Sequence, residues 1–265
     1  MKPYVPLFQR PWTLPSSGRA IELLDAKPEQ IDLVDMATML AAAPRFNGST
    51  ASEDGVTISI AQHCVMAADI LFARTGRRDM GAAGLAHDGH EYIVGDESTP
   101  KQKATGLALA RVAKAEGLRL VDAQGAEVSL PGLYDRGMAA LKDGLDAVIY
   151  PKFGLPWPLP ADIHAAVKQV DRDLLVAEAA RCLPEPPWTG GFPNDPPIDL
   201  DVFCEDGVYA PWPAARAAQE FIRRAALYAP DCALVKGLVD DMIRGERFVL
   251  LDEPEDNRRQ EFAPA

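Results

Sequence analysis

The sequence predicts an all-α protein, a helical bundle with proline-rich loops and a C-terminal helical extension. Apolar residues recur at three- and four-residue intervals along most of the 265-residue chain, which is the period of a helix with one buried face. Glycine or proline closes many of these segments, and runs with the two-residue alternation of a strand are few. The predicted helices are 29–43, 58–75, 78–94, 101–116, 131–149, 161–182, 211–229 and 232–244.

The first three predicted helices are bounded by stop signals. An apolar stripe through Leu40 ends before Pro44, a second through Leu71 ends at Gly76, and the third helix is closed by Gly95. These positions are typical of helix ends, because proline cannot continue a helix and glycine adopts the left-handed cap conformation.

The second half of the chain alternates helices with proline-rich connections. A glycine-containing turn near 117–128 joins two helices, and the segment 151–160, PKFGLPWPLP, is too rich in proline to be regular. Pro213 suits the first turn of the helix at 211–229. We expect three parts: an N-terminal arm at 1–20, a helical domain at 21–183, and a proline-rich loop with C-terminal helices at 184–265.

Composition and charge exclude several classes of protein. The chain is 48% apolar and 25% charged with a formal charge of -12, so it can bury a core but repels the phosphate backbone of a nucleic acid. It contains no run of 18 apolar residues and no signal-peptide pattern at the N-terminus. We therefore expect a cytoplasmic protein without a membrane span. The cysteines are isolated in the sequence and predict neither disulfides nor a zinc ribbon: Cys64, Cys182, Cys204 and Cys232.

Four polar residues interrupt the apolar rows of three predicted helices. A buried carboxylate without a partner costs several kcal/mol, so inward-facing acids need compensation. A divalent cation would supply it, and mixed imidazole and carboxylate ligands suit zinc, manganese, iron, cobalt or nickel. Each residue alone has an ordinary structural explanation, but the set predicts one divalent transition-metal site. The predicted ligands are His63, His87, Asp88 and Asp171.

At these residues the sequence resembles the HD-domain phosphohydrolases. The mark of that family is one His, then an adjacent His-Asp pair, then a distant Asp, around a divalent metal in a helical bundle. The matching segments are SIAQHCVMAADI, LAHDGHE and AVKQVDRDLL. The resemblance covers roughly residues 16–182 and, more weakly, 211–225, and it implies a metal that polarises a phosphoryl oxygen and activates water.

The sequence is most similar to one branch, the bacterial 5′-deoxynucleotidases and related phage HD hydrolases. That branch has an Arg-aromatic pair before the first His, and a Glu and a GD…TP segment after the His-Asp pair. The resemblance implies an acid/base role for Glu91 and a catalytic or positioning role for Asp96. The alternatives are a carboxylate that only orients His87, for Glu91, and a turn residue at a helix end, for Asp96. The remaining matches are candidates for substrate binding. Arg45, Thr99 and Lys101 are candidates for contacts with phosphate. Phe46 is a candidate for stacking on the base or sugar.

The resemblance leaves several functions open. Release of phosphate from a deoxynucleoside monophosphate is the leading expectation, and hydrolysis of a dNTP such as dATP, as in phage enzymes, is the main alternative. A nucleotide-binding regulator without turnover, and a cyclic-nucleotide or alarmone hydrolase, are further alternatives. We also expect a small-molecule nucleotide as partner, a homodimer or larger homo-oligomer, and the host cytoplasm as location if the gene is phage-borne.

Overall fold

The computed structural model describes residues 11–50, 55–183, 196–204 and 207–245. These residues are mostly helical, which confirms the predicted all-α class; their strands, β1 (Trp12–Thr13) and β2 (Ile21–Glu22), pair antiparallel. The proline-rich segment 184–195 and the tail 246–265 lie outside the described residues. The helices are α1 (Leu33–Ala42), α2 (Ile60–Thr75), α3 (Arg78–Ala86), α4 (Glu91–Val94), α5 (Thr99–Ala115), α6 (Leu130–Lys152), α7 (Ala161–Cys182), α8 (Ala214–Tyr228) and α9 (Ala233–Arg244).

Helix α2 is the centre of the bundle. Its first three turns are almost entirely buried, and it contacts α1, α3, α7 and α8. The Oγ of Ser59 caps its start by accepting a hydrogen bond from the backbone N–H of Gln62, and Gly76 ends it in the left-handed conformation with φ 65°. The burial of α2 on every side places His63, in its first turn, deep in the protein.

Helix α1 begins later than its apolar period predicts. The side chain of Asp32 accepts hydrogen bonds from the backbone N–H groups of Val34 and Asp35, so the helix starts at Leu33 instead of position 29. Residues Pro28–Gln30 form a short 3-10 helix before it. The helix boundary is therefore set by a capping aspartate that lies three residues after the predicted start.

The predicted helix at 78–94 is wrong as a single element. Helix α3 ends at Ala86, residues 87–90 form a tight turn, and α4 spans only Glu91–Val94. The backbone N–H of Gly89 donates to the carbonyl of Ala86 at 2.8 Å, an i to i−3 bond that tightens the chain. His87 and Asp88 thus lie at a break between two helices, not in the middle of one.

The C-terminal helix α8 completes the core. It packs against α1, α2 and α3, and it buries Phe221, Ala225 and Tyr228 on its apolar face. Arg224 on the same helix forms a bidentate ion pair with Asp69 of α2. Helices α5 and α6 pack mainly on each other. No helix among residues 11–50, 55–183, 196–204 and 207–245 combines the length and apolarity needed to cross a bilayer.

Candidate metal centre

Four side chains from α2, the 87–90 turn and α7 converge at one point inside the bundle. Each offers a ligand atom that lies within 4.8 Å of the other three. We call these residues the principal metal centre. They are the four ligands expected from the sequence: His63, His87, Asp88 and Asp171.

The distances place both imidazoles between two carboxylates. The Nε2 atoms of His63 and His87 are 3.2 Å apart. Asp171 Oδ1 lies 3.3 Å from Nε2 of His63, and Asp88 Oδ2 lies 3.2 Å from Nε2 of His87. All four groups therefore direct their ligand atoms at a common volume.

The Nδ1 atoms of the two histidines form hydrogen bonds that point away from the centre. Nδ1 of His87 donates to the backbone carbonyl of Gly84 at 2.7 Å. Nδ1 of His63 lies 3.1 and 3.2 Å from the two carboxylate oxygens of Glu178. When both imidazoles are neutral, each ring carries one N–H, at Nδ1, and the two Nε2 atoms face one another as lone-pair acceptors.

This donor set fits a divalent cation. With both imidazoles neutral, two lone pairs and two carboxylates at these distances repel one another. A proton on His87 relieves this repulsion in the metal-free protein, and a divalent cation would take its place. Metal-ligating histidines characteristically donate their other N–H to a carboxylate or backbone carbonyl, as His63 and His87 do. Mixed imidazole and carboxylate donors of this kind suit divalent transition metals in general.

The pKa shifts in the centre reflect strong coupling between these groups. Burial alone would raise the pKa of Asp88 and of Asp171, but the imidazoles outweigh it and hold both well below their usual range. Burial alone would lower the pKa of His87, and the adjacent Asp88 raises it well above its usual value. Both carboxylates are thus ionised and available as ligands.

Arg45 borders the centre and pairs with its acids. Its Nε lies 2.9 Å from Oε2 of Glu178, and its Nη1 lies 3.6 Å from Oδ2 of Asp88. It belongs to a short 3-10 helix, Arg45–Gly48, in which Phe46 and Asn47 both have a φ of 52°. Non-glycine residues adopt this conformation only when the surroundings compensate its cost.

Glu91 and Asp96 lie next to the same acids. Glu91 is buried, and its desolvation, reinforced by Asp88 and Asp96, raises its pKa to about 9. Its Oε2 has no hydrogen-bond partner. Asp96 is half-buried, and its pKa is raised by desolvation, partly offset by the nearby Arg45. Glu91 therefore lies beside Asp88 of the principal metal centre, and Asp96 is near enough to Asp88 and Arg45 to interact with them electrostatically.

The remaining sequence candidates lie farther out. Phe46 is half-buried, and the Arg45 guanidinium carbon is 5.6 Å from its ring centre. Thr99 and Lys101 are exposed at the start of α5, where Lys101 Nζ is 4.0 Å from Glu97 Oε1. Their described contacts do not connect them to the principal metal centre.

Sequence reasoning missed the buried groups that support the ligands. Glu178 is fully buried, contacts His63 and Arg45, and accepts a hydrogen bond from the hydroxyl of Tyr209 at 3.3 Å. It lies seven residues after Asp171, on the same face of α7. Glu178 interrupts the apolar face of α7 that includes Leu174 and Ala177, just as Asp171 does. This interruption is a sequence signal from which Glu178 could have been predicted.

His90 and Asp146 form a second overlooked pair. Both are buried, and Nδ1 of His90 lies 3.0 Å from Oδ1 of Asp146. The periodicity of a continuous helix directs residue 90 away from the face of His87 and Glu91. The turn at 87–90 changes that direction, so the sequence offered no signal for this pair.

The comparisons with known proteins place the chain in a family. No protein-family model matches it. An uncharacterized protein of Rhodobacter capsulatus is 33% identical over 168 residues, which cover 62% of this chain and 69% of that protein. The chain belongs to the same family as this R. capsulatus protein. Its fold and site define a helical protein with a buried His/Asp cluster that could bind a metal.

Proposed function

We infer that the protein is a metal-dependent phosphohydrolase of the HD type that acts on nucleotides, with a deoxynucleoside monophosphate as its substrate. The observation that carries this proposal is the convergence of His63, His87, Asp88 and Asp171 within 4.8 Å, in the His…His-Asp…Asp order of that family. The helical fold around the cluster is compatible with it.

The charges around the centre support a phosphoryl-transfer reaction. A bound divalent cation would supply Lewis-acid stabilisation of the phosphoryl group and a nucleophile at neutral pH. Such reactions need little beyond positioning and charge neutralisation. His63, His87, Asp88 and Asp171 would hold the cation, and Glu178 and the Gly84 carbonyl would fix the orientation of the two imidazoles.

Glu91 is the candidate for proton transfer. It is buried three residues after Asp88, and one carboxylate oxygen has no partner. Desolvation raises its pKa to about 9, which favours the protonated carboxyl, the form in which a general acid can protonate a leaving oxygen. Asp96 is the second candidate, because it lies close enough to Arg45 and Asp88 to have its pKa shifted by them.

Arg45 is the candidate for substrate phosphate. Its guanidinium has five N–H donors, and its described partners are Glu178 and Asp88. A phosphate that approached the metal from this side would meet the remaining donors. Phe46, half-buried beside it, is placed to contact the sugar or base of the same nucleotide.

Hydrolysis of a panel of dNMPs and dNTPs tests this proposal. The full-length protein is freed of metal, supplied with Co²⁺ or Mn²⁺, and incubated with each nucleotide, and the products are separated by chromatography. Nucleoside and phosphate from a dNMP are expected; nucleoside and triphosphate from a dNTP would instead show the phage-type activity. Undiminished hydrolysis in EDTA by a protein without bound metal would overturn the proposal.

Ligand substitutions sharpen the test. His63→Ala, His87→Ala, Asp88→Ala and Asp171→Ala should each lose both metal and activity. His164→Ala is the matched control, because His164 is an exposed histidine of α7. Tight nucleotide binding without turnover under any metal would indicate a regulator on the same scaffold.

A further inference from the structure

We propose that Asp88, His90 and Glu91 form a second cation site, which shares Asp88 with the principal metal centre. One ligand atom from each of these three residues lies within 4.8 Å of the other two. His90 is 6% exposed and Glu91 is 8% exposed. The proposal requires the observed geometry only and does not depend on phosphohydrolase activity.

The tight turn at 87–90 brings these three side chains together. In a continuous helix, residues two apart project in different directions, so Asp88 and His90 could not bind the same cation. Here Gly89 closes a tighter turn onto the carbonyl of Ala86. A Cβ at position 89 would lie 2.8 Å from that carbonyl oxygen and 3.1 Å from Cγ2 of Ile149. The glycine is therefore required for the turn that redirects His90.

Asp146 holds His90 in the orientation that a metal ligand needs. The His90 Nδ1 to Asp146 Oδ1 distance is 3.0 Å, and Asp146 is itself buried on α6. With Nδ1 donating to this carboxylate, Nε2 is the ring nitrogen that carries a lone pair. A carboxylate behind a histidine is the usual outer contact of metal-binding imidazoles, and Glu178 provides the same contact to His63 in the principal metal centre.

The unpartnered oxygen of Glu91 points independently to a ligand. Its Oε2 is buried and makes no hydrogen bond, which costs free energy unless something else interacts with it. A cation between Glu91, Asp88 and His90 would satisfy this oxygen. A carboxylate oxygen that holds a cation cannot carry a proton, so occupancy of this site and proton transfer by Glu91 would exclude each other.

Asp88, the shared residue, lies among other acids. It interacts electrostatically with four further carboxyl groups, and Arg45 and Lys142 are nearby as counter-charges. A concentration of carboxyl groups of this kind attracts cations. The four groups are Glu91, Asp96, Asp146 and Asp171.

A Mn²⁺ titration of the metal-free, full-length protein tests the proposal. Mn²⁺ is the chosen ion because two carboxylates and an imidazole suit it. Its electron paramagnetic resonance signal measures how much of it remains free. The wild-type protein is expected to take up a second equivalent after the first. Two Mn²⁺ ions that share Asp88 as a ligand would be close together and should show a spin-coupled spectrum.

Variants of the His90–Asp146 pair separate the two sites. His90→Ala should lose the second equivalent and keep the first, whereas the exposed control His164→Ala should keep both. Asp146→Asn preserves shape and should weaken only the second site, by about 10- to 100-fold. Circular dichroism establishes that each variant is folded.

Two results would overturn the second site: a wild-type protein that saturates at one Mn²⁺, or a folded His90→Ala protein that still takes up two. Neither result bears on the proposed phosphohydrolase activity, which the nucleotide panel decides separately. A protein that binds both ions but hydrolyses no nucleotide would retain this site and lose the proposed function.

Discussion

Nδ1 of His63 lies 3.1 Å from Oε1 of Glu178, a residue 115 positions away in the sequence, and both side chains are fully buried. This contact fixes which nitrogen of His63 faces the principal metal centre. Burial alone would raise the pKa of Glu178, but His63 and Arg45 lower it, so the carboxylate is ionised and accepts the imidazole N–H.

Glu178→Gln should therefore weaken metal binding at the principal metal centre by about 10- to 100-fold, the usual effect of losing such an outer contact. Calorimetric titration of the metal-free protein with Co²⁺ measures the change. Tyr209→Phe is the control, since it removes the hydroxyl that contacts Glu178 but leaves the carboxylate intact. An unchanged affinity in a folded Glu178→Gln protein would show that the contact does not orient His63.

Arg45→Ala should lower the free energy of unfolding by about 3–5 kcal/mol, because it leaves the buried Glu178 without its guanidinium partner. Urea unfolding of the metal-free protein measures this loss. Arg77→Ala is the comparison: Arg77 pairs with Asp79 and Asp162 on the surface, where ion pairs contribute little. Equal effects from the two substitutions would contradict the role assigned to the buried pair.

Gly89→Ala should destabilise the protein by about 1–3 kcal/mol, as overpacking does. The new Cβ would lie 2.8 Å from the carbonyl oxygen of Ala86, so the turn that presents Asp88 would have to shift. Gly144→Ala in α6 is the matched control. Its Cβ meets nothing within 4 Å, and it should be neutral or stabilising by up to about 1 kcal/mol. Thermal and urea unfolding distinguish the two.

Metal binding should raise the melting temperature of the wild-type protein. The Nε2 atoms of His63 and His87 and the two carboxylates are brought together only in the folded protein, so a divalent cation would bind the folded state and not the unfolded one. A ligand at 100 times its Kd adds about 2.7 kcal/mol. Differential scanning calorimetry with Co²⁺ and then with excess EDTA measures the shift. Asp171→Ala should abolish it, and a melting temperature insensitive to metal would argue against the site.

Glu91→Gln should retain metal at the principal metal centre and reduce turnover by about 10²- to 10⁴-fold, the usual contribution of a positioned acid or base. The amide keeps the shape of the side chain but cannot act as a general acid or base. Steady-state kinetics at saturating metal measures the loss. Glu127→Gln, with a side chain 70% exposed, is the control. Near-normal turnover would remove Glu91 from the reaction and leave Asp96 as the candidate.

The helical class and the four polar side chains that converge at the principal metal centre could be predicted from the sequence because both leave a local signature. A helix with one buried face repeats its apolar residues with the period of the helix. A polar residue such as His63 or Asp171 in that row is conspicuous, since burying it needs compensation. Gly76 marked the end of α2 for an equally local reason, the left-handed conformation that glycine adopts.

The break at 87–90 could not be predicted, because it depends on packing from outside the segment. The periodicity of 78–94 is that of one helix, whereas the chain tightens at Gly89, where a Cβ would lie 2.8 Å from the carbonyl oxygen of Ala86 and 3.1 Å from Cγ2 of Ile149 in α6. Only the folded chain shows that His90 turns inward towards Asp146.

The sequence by itself determined that the protein is helical and which four polar side chains, His63, His87, Asp88 and Asp171, would face inward. Only the tertiary structure decided which groups support them: Glu178 behind His63, Asp146 behind His90, and Arg45 between Glu178 and Asp88. The physical reason is that periodicity reports which face of a helix is buried, one segment at a time. The pairing of two buried side chains far apart in the sequence depends on how the helices pack, and no single segment contains that information.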